Sequence, residues 1–538
     1  MRIAMVHGYF LSGTGSNLLV QNLCREFCKM GHQVYLFCQE NNADQFDFIE
    51  KAYDFDLNNT QSTLTCQKET LYTGKCILLR PNLNGFLPVF VYDQYYGYRV
   101  KEYIDCTKDE IENYIEVNKN ALNDGLKTYQ PDLIISNHTI MQPVYVARSD
   151  YNRLHCIHVM IMHGSCLNFA VKKSEMLQSY AKETIKDVQK FVFVSNYSKD
   201  EFCSYFYQEK NYIDEKSIVI PGGVDLDKFQ LLDENSNKNE IINDLLKSLK
   251  NHANLFSSTS FESKNNVQTD TIRKLSGIDF EDEEVVIYYG KYLWTKGLHL
   301  LIAAAPLIIE RCPKVRFLFV GFGTSLGYFE AMIEALDNGN KDEFIEFITN
   351  PNRSGYELDQ STSRYFNSLI KRLEDPSYSE DYFNTAKNNI KKAIVIVGYL
   401  GHEHLNALIA CSELVVAPSI FPEAFGLVGI EALASGTIPV QTNHSGFSEV
   451  VNAYRSEFLE QLSNLNLSDL RLDENLVENL ALNISTLLNY YRILNPEQRQ
   501  NIRKRARQIC IDGFSWEIIA KQYLEIKNAL NYVGDQPG

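Results

Sequence analysis

Glu423 and Glu431 stand with seven residues between them in the stretch Ala417-Pro418-Ser419-Ile420-Phe421-Pro422-Glu423-Ala424-Phe425-Gly426-Leu427-Val428-Gly429-Ile430-Glu431. An apolar run ends at Pro418, a loop carries Glu423, and a helical pattern opens near Gly426 and stops at Gly436. The first amides of a helix lack partners inside it and favour negative charge, so those of Phe425, Gly426 and Leu427 suit a phosphate group. Two carboxylates beside a phosphate repel it unless they face hydroxyls, and the hydroxyls of a sugar and a ribose are the obvious partners. Either glutamate alone reads as a solvated charge. The pairing with a helix start is what points to chemistry.

Cations for the same anion lie in Gly290-Lys291-Tyr292-Leu293-Trp294-Thr295-Lys296-Gly297, directly after another apolar run. In isolation Lys291 and Lys296 are ordinary surface residues. Ile161-Met162-His163-Gly164-Ser165 ends a further run. A lone histidine there is more often structural, yet the carboxyl end of a parallel strand is where α/β folds bind ligands. The Gly13-Thr14-Gly15 turn lacks the third glycine of a dinucleotide fingerprint, and is weak evidence by itself. In that turn Gly15 lets a backbone amide approach an anion closely.

The elements that must position these residues follow from periodicity. Ile3–Val6, a glycine and serine loop, a helical pattern to Gly31 and then Gln33–Phe37 form a βαβ unit, with Ser16 and Asn17 as expected helix caps. Strand-like runs recur at 76–79, 133–136, 158–162 and 191–194. A second series runs through 285–289, 317–320, 393–397, 414–416 and 438–440. Two doubly wound parallel sheets in succession are the economical α/β reading. The expected domains are 1–221, then a hinge with a polar insertion over 222–283, then 284–513 with an insertion at 326–390, and a final helix over 514–538. Both insertions read as surface segments, the first partly mobile.

The Glu-x7-Glu pair, with Ala-Phe-Gly-Leu before the helix and Ala-Ser-Gly and Ile-Pro-Val after it, resembles the signature of retaining glycosyltransferases of family 4. That resemblance implies a GT-B fold, two Rossmann-like domains facing an interdomain cleft. It also implies transfer of a sugar from a nucleoside diphosphate sugar to an acceptor hydroxyl. Lys291 and Lys296 are similar to the family's Gly-Arg…Lys-Gly cations that hold the diphosphate, with lysine in place of arginine at 291, which loses the bidentate fork. The resemblance places His163 against the donor sugar, Gly15 near the distal phosphate, and Gly398-Tyr399 where the base is seated. Glu423 would orient the sugar hydroxyls and Glu431 would hold the ribose. Pro221-Gly222-Gly223-Val224-Asp225 is similar to the family's junction segment, and Phe514-Ser515-Trp516-Glu517 to the start of a helix that returns to the first domain.

Composition narrows the class. The 538 residues carry 52 Lys+Arg and 68 Asp+Glu, a formal charge of −16, with 45% apolar residues. So acidic a chain is a poor non-specific ligand for phosphate backbones, and no nucleic-acid partner is expected. No apolar run is long enough to span a membrane, although a peripheral membrane contact stays open. Twelve cysteines without CxxC pairs indicate neither zinc nor a disulfide framework, and with no signal peptide the expected location is cytoplasmic. Asp54-Phe55-Asp56 and Asp225-Leu226-Asp227 lie outside the inferred phosphate site, so neither a metal nor a cofactor is expected beyond the nucleotide-sugar co-substrate. An epimerase or phosphorylase on the same fold, or a non-catalytic nucleotide-sugar-binding module, remains an alternative. The acceptor is not legible. Residues 41–75 and 86–110 are the expected acceptor surface, with plain aromatic packing an equal reading.

Overall fold

The chain divides into two compact units, Met1–Gly223 with Phe514–Gly538, and Val224–Gly513. This computed structural model describes residues 1–13, 15–91, 94–151, 156–234, 236–256, 270–350, 360–458, 465 and 467–534. Thr14 of the glycine turn, and residues 235, 257–269 and 351–359 of the two polar segments, lie outside the described residues.

In the first unit the strands are β1 (Arg2–Val6), β2 (Gln33–Phe37), β3 (Ile49–Phe55), β4 (Ser62–Gln67), β5 (Lys75–Arg80), β6 (Phe86–Val89), β7 (Arg99–Glu102), β8 (Leu133–Asn137), β9 (Ile157–Met162), β10 (Lys190–Phe193) and β11 (Ser217–Val219). Nine of them form one sheet in the order β11-β10-β9-β8-β1-β2-β5-β3-β4, and β6 pairs with β7 apart from it. Every pair in the nine-stranded sheet is parallel except β3 with β4. Because β2 and β8 flank β1, the winding direction reverses there, and crevices that bind ligands in such sheets open at that reversal. The helix Gly15–Lys29 follows β1. Asn17 falls inside it rather than capping it, and its amide reaches back to the Ser12 carbonyl at 2.7 Å.

The antiparallel β3–β4 hairpin occupies part of the segment read as acceptor surface, where no strand was expected. Ser62-Thr63-Leu64-Thr65-Cys66-Gln67 is exposed along almost its whole length and shows no apolar alternation, so periodicity has no handle on it. The final helix, Trp516–Gly534, belongs to the first unit. A Cβ on Gly223 would sit 2.5 Å from the Trp516 ring, so only glycine lets the junction lie flat on that indole. Lys527 reaches Asp132 at 3.5 Å on the same unit.

The second unit is an all-parallel sheet, β14-β13-β12-β15-β16, built from β12 (Glu284–Lys291), β13 (Val315–Phe322), β14 (Ile394–Gly398), β15 (Leu414–Ala417) and β16 (Ile438–Gln441). The chain lays β12, β13 and β14 outward in one direction, then returns to add β15 and β16 on the other side of β12. The reversal therefore falls between β12 and β15. The end of β12 carries Lys291, and the loops leaving those two strands carry Lys296 and Glu423, so the topology itself brings the candidate residues to one edge.

The described helices of the two polar segments dock through buried apolar residues. Helix Lys238–Phe256 buries Ile242, Leu245, Leu246 and Leu249, one apolar stripe at helical spacing. Within 326–390 the helices Leu326–Asn338, Lys341–Thr349, Asn367–Leu373 and Pro376–Ala386 bury Phe329, Phe344, Leu369 and Phe383. The Tyr382 hydroxyl donates to the Ala303 carbonyl at 2.8 Å, inside the helix Leu298–Arg311 that covers the sheet. Average polarity hid these stripes, because their exposed faces are strongly charged.

Candidate functional site

Glycine at 297 decides how the two loops meet. Its φ is +74°, and a Cβ there would lie 1.8 Å from the Pro418 carbonyl oxygen, so no other residue fits. The loop after β12 consequently rests on the loop after β15. Ile420 and Phe421 donate their amides to the Thr295 carbonyl at 2.9 and 3.2 Å.

That approach places Lys296 Nζ 2.5 Å from Glu423 Oε1, across 127 residues of sequence. The carboxylate is one-fifth exposed and the ammonium one-third. Ser419 donates its hydroxyl to the same Oε1 at 2.7 Å. Lys291, at the end of β12, is exposed and forms no ion pair with a described residue, while its carbonyl accepts the Tyr288 hydroxyl at 2.9 Å. Glu423 is close enough to Tyr288 to add to the burial that raises its phenol.

The helix Leu427–Ala434 starts at Gly426, whose φ is +123°, and no side chain caps it. A Cβ on Gly426 would lie 2.5 Å from the Phe447 ring. The amides of Gly426 and Leu427 therefore head a helix whose entry is shaped by glycine and carries no side-chain cap. On the same helix Glu431 points inward rather than to the surface, and its Oε2 accepts the Tyr289 hydroxyl of β12 at 2.8 Å. Oε1 has no partner among the described residues.

Burial pushes the Glu431 carboxyl up to about 7, against the opposing pull of the Tyr289 hydrogen bond. The folded state thus favours the protonated acid. Its stabilising share is full below the ordinary carboxyl range near 4.3 and is lost as pH rises through about 7. A rise from the ordinary carboxyl range to about 7 corresponds to roughly 3–4 kcal/mol at most. Thermal unfolding of the wild type is expected to drop more steeply between about pH 4.5 and 7 than that of Glu431→Gln, which has nothing to ionise there; equal slopes would remove this assignment.

At the ends of β13 and β14, Phe322 and Tyr399 are both more than half exposed, with ring centroids 5.5 Å apart and planes at 82°. Gly398 precedes Tyr399 with φ +90°. Phe322 was not singled out from the sequence. The signal was the Gly321-Phe322-Gly323 turn, where both glycines have positive φ and a Cβ at 321 would lie 1.8 Å from the Gly290 carbonyl oxygen. Exposed paired aromatics are the form a base-stacking platform takes.

In the first unit His163 directly follows β9 and is nearly buried, its Nε2 donating to Asn137 Oδ1 at 3.1 Å. Burial, then the neighbouring His7, holds its pKa down at about 3, so it is a neutral ring across the working range. The His138 ring lies 4.8 Å from it, tilted by 49°, and stacks 6.0 Å from His7. His7 in turn donates to Asn17 Oδ1 at 3.0 Å, tying the end of β1 to the following helix. Gly15 opens that helix with φ +24°, and a Cβ there would meet nothing within 4 Å, so its face is open.

The Asp-x-Asp triplets have structural work. Asp54 pairs with Arg80, Asp56 accepts the amides of Thr60 and Gln61, and Asp225 accepts those of Asp227 and Lys228. No helix among the described residues is long and apolar enough to cross a membrane. All twelve cysteines are free thiols.

Residues 269–356 and 379–509 match the family model described as glycosyl transferases group 1. The break at 357–378 is much narrower than the insertion expected at 326–390. An uncharacterized glycosyltransferase of Methanocaldococcus jannaschii is 21% identical over 344 residues, which cover 64% of this chain and 61% of the relative. A glycogen synthase of Mycobacterium tuberculosis is 30% identical over 152 residues, 28% of this chain and 32% of the relative. The chain thus spans about three-fifths of the length of the first of these relatives and about a third of the second. Among solved structures, Anabaena HepE in complex with UDP aligns over 98% of this chain and 100% of its own, with 14% identity and a TM-score of 0.50. The chain has the GT-B fold, and its second unit carries the segments that match glycosyl transferases group 1.

Proposed function

We propose that the protein moves a sugar from a nucleoside diphosphate sugar to an acceptor hydroxyl, with retention of anomeric configuration, as in family 4, and without a metal ion. The contact that carries this reading is Lys296 against Glu423 beside an uncapped helix start. It supplies a cation for phosphate and a carboxylate for hydroxyls at one strand-end reversal. The UDP bound by the Anabaena structure supports a uridine donor as the first to try.

Lys291, Lys296 and the amides of Phe425, Gly426 and Leu427 stabilise the departing diphosphate as its charge grows, each preorganised donor contributing about 2–4 kcal/mol. Glu423 orients the sugar hydroxyls, and Glu431 Oε1 accepts from the ribose. Gly398 and the Tyr399 ring, with Phe322, seat the base. His163 and Gly15 keep the roles the resemblance gives them, contact with the donor sugar and with its distal phosphate. The acceptor attacks from the face the diphosphate leaves, and the diphosphate oxygen takes the acceptor's proton, so no covalent sugar–protein intermediate forms.

The test is incubation of purified protein with UDP-, GDP- and ADP-sugars in the presence of EDTA, with the anomeric configuration of the product read by NMR. Release of nucleoside diphosphate with an axial donor sugar kept axial is the expected outcome. Transfer to inorganic phosphate, an epimerised sugar without acceptor, or activity abolished by EDTA would each overturn a stated part.

A further inference from the structure

Glu423 is held by more than its lysine. Its backbone amide donates to Ser445 Oγ at 2.9 Å, and its carbonyl accepts the Gly446 amide at 2.9 Å. Ser445 Oγ lies 3.1 Å from His444 Nδ1, and His444 Nε2 lies 2.7 Å from the Ser419 carbonyl oxygen. Ser419 returns to the start, its hydroxyl donating to Glu423 Oε1. Four residues from two loops, after β15 and after β16, thereby close a ring of hydrogen bonds around the carboxylate.

The chemistry of the partners fixes every direction in that ring. A carbonyl only accepts, so His444 Nε2 carries the proton. Burial holds the imidazole's pKa below its ordinary value, and a neutral ring protonated at Nε2 leaves Nδ1 an acceptor. Ser445 must then donate to Nδ1, which turns its lone pairs toward the Glu423 amide. The Ser419 hydroxyl has other acceptors near it, the Thr295 and Phe421 carbonyls at 3.2 and 3.3 Å, but the carboxylate is both closer and charged. A strained residue and a close approach keep the loops in this register. Ser445 sits at φ +48°, unusual for serine, and a Cβ on Gly446 would fall 2.3 Å from the Ala424 carbonyl oxygen.

We propose that His444 is a positioning residue that sets the Glu423 carboxylate through Ser445 and Ser419, without touching the substrate. The proposal rests on the donor-sugar role given to Glu423. It predicts that losing the imidazole blurs the aim of the carboxylate while the diphosphate site, made by other groups, is kept.

The experiment has a readout independent of activity. Ring-nitrogen NMR of the full chain near pH 7 is expected to show His444 neutral and protonated at Nε2, with the Nδ1 signal shifting in Ser445→Ala; the opposite tautomer overturns the ring. Kinetically, His444→Ala is expected to lower kcat roughly 5- to 10-fold, the loss of a hydrogen bond worth about 1–1.5 kcal/mol, with UDP affinity unchanged. His444→Gln, which returns a donor to the Ser419 carbonyl, is expected to recover part of it. In a Glu423→Gln background, His444→Ala is expected to cost almost nothing more, because the two act as a unit. A full additional loss there, or an equal fall in UDP affinity, overturns the positioning role. If the wild type transfers no sugar at all, the functional reading fails while the NMR still decides the ring.

Discussion

Glu423→Gln is expected to cut turnover at least about tenfold and leave nucleoside diphosphate affinity within about twofold. A hydrogen bond to a charged group is worth about 1.5–3 kcal/mol, which is roughly 10- to 150-fold in rate if it is made mainly in the transition state. The amide keeps the volume of the carboxylate and can still accept from Ser419, so the loop stays in place. What disappears is the charge that faces the sugar as its anomeric carbon becomes positive. A glutamine also ends the ion pair with Lys296, freeing that ammonium for phosphate, so product binding does not fall. Single-turnover rates and UDP titrations on the two proteins separate these effects. Normal transfer by the glutamine variant would end the assignment of Glu423.

The parts of this arrangement that lie within one loop were legible in the sequence; the contacts between loops were not. Spacing alone placed Glu423 before a helix and Lys296 after a strand. It could not show that they touch, because that depends on β15 returning beside β12 and on a glycine thin enough to let Pro418 approach. Glu431 illustrates the same limit. Its position on the helix was plain, yet its inward face follows from Tyr289 on a strand 142 residues earlier. His444 and Ser445 carried no readable signal, since a histidine and a serine in a loop are ordinary until a third and fourth residue close around them.

Strands buried on both faces, such as Val285–Tyr289 and Phe317–Val320, announce themselves as apolar runs. The β3–β4 hairpin at the sheet edge does not, because an exposed edge needs no apolar face. The buried residues of the described helices in 326–390 were hidden for a different reason. One buried residue in three or four suffices to dock a helix, and the charged majority between them dominates any average. Periodicity, not polarity, was the informative quantity there.

The same packing gives Lys296→Met its expected result, a fall in kcat/KM of roughly 10²- to 10³-fold, the value of one preorganised donor to a developing anion. The loss is expected in kcat more than in KM. An ammonium has three N–H donors, so Lys296 can keep Glu423 with one and offer the others to the diphosphate, whose demand grows as the bond to the sugar breaks. Lys296→Arg keeps the charge but spreads it over a plane, and an intermediate rate is expected. Stability tells the other half. Methionine leaves Glu423, one-fifth exposed, without its counter-ion, so Tm is expected to fall in Lys296→Met and to recover in Lys296→Met/Glu423→Gln, while activity does not recover. A variant whose KM rises at unchanged kcat would show that Lys296 binds donor and transition state alike, and the leaving-group role would pass to Lys291 and the helix amides.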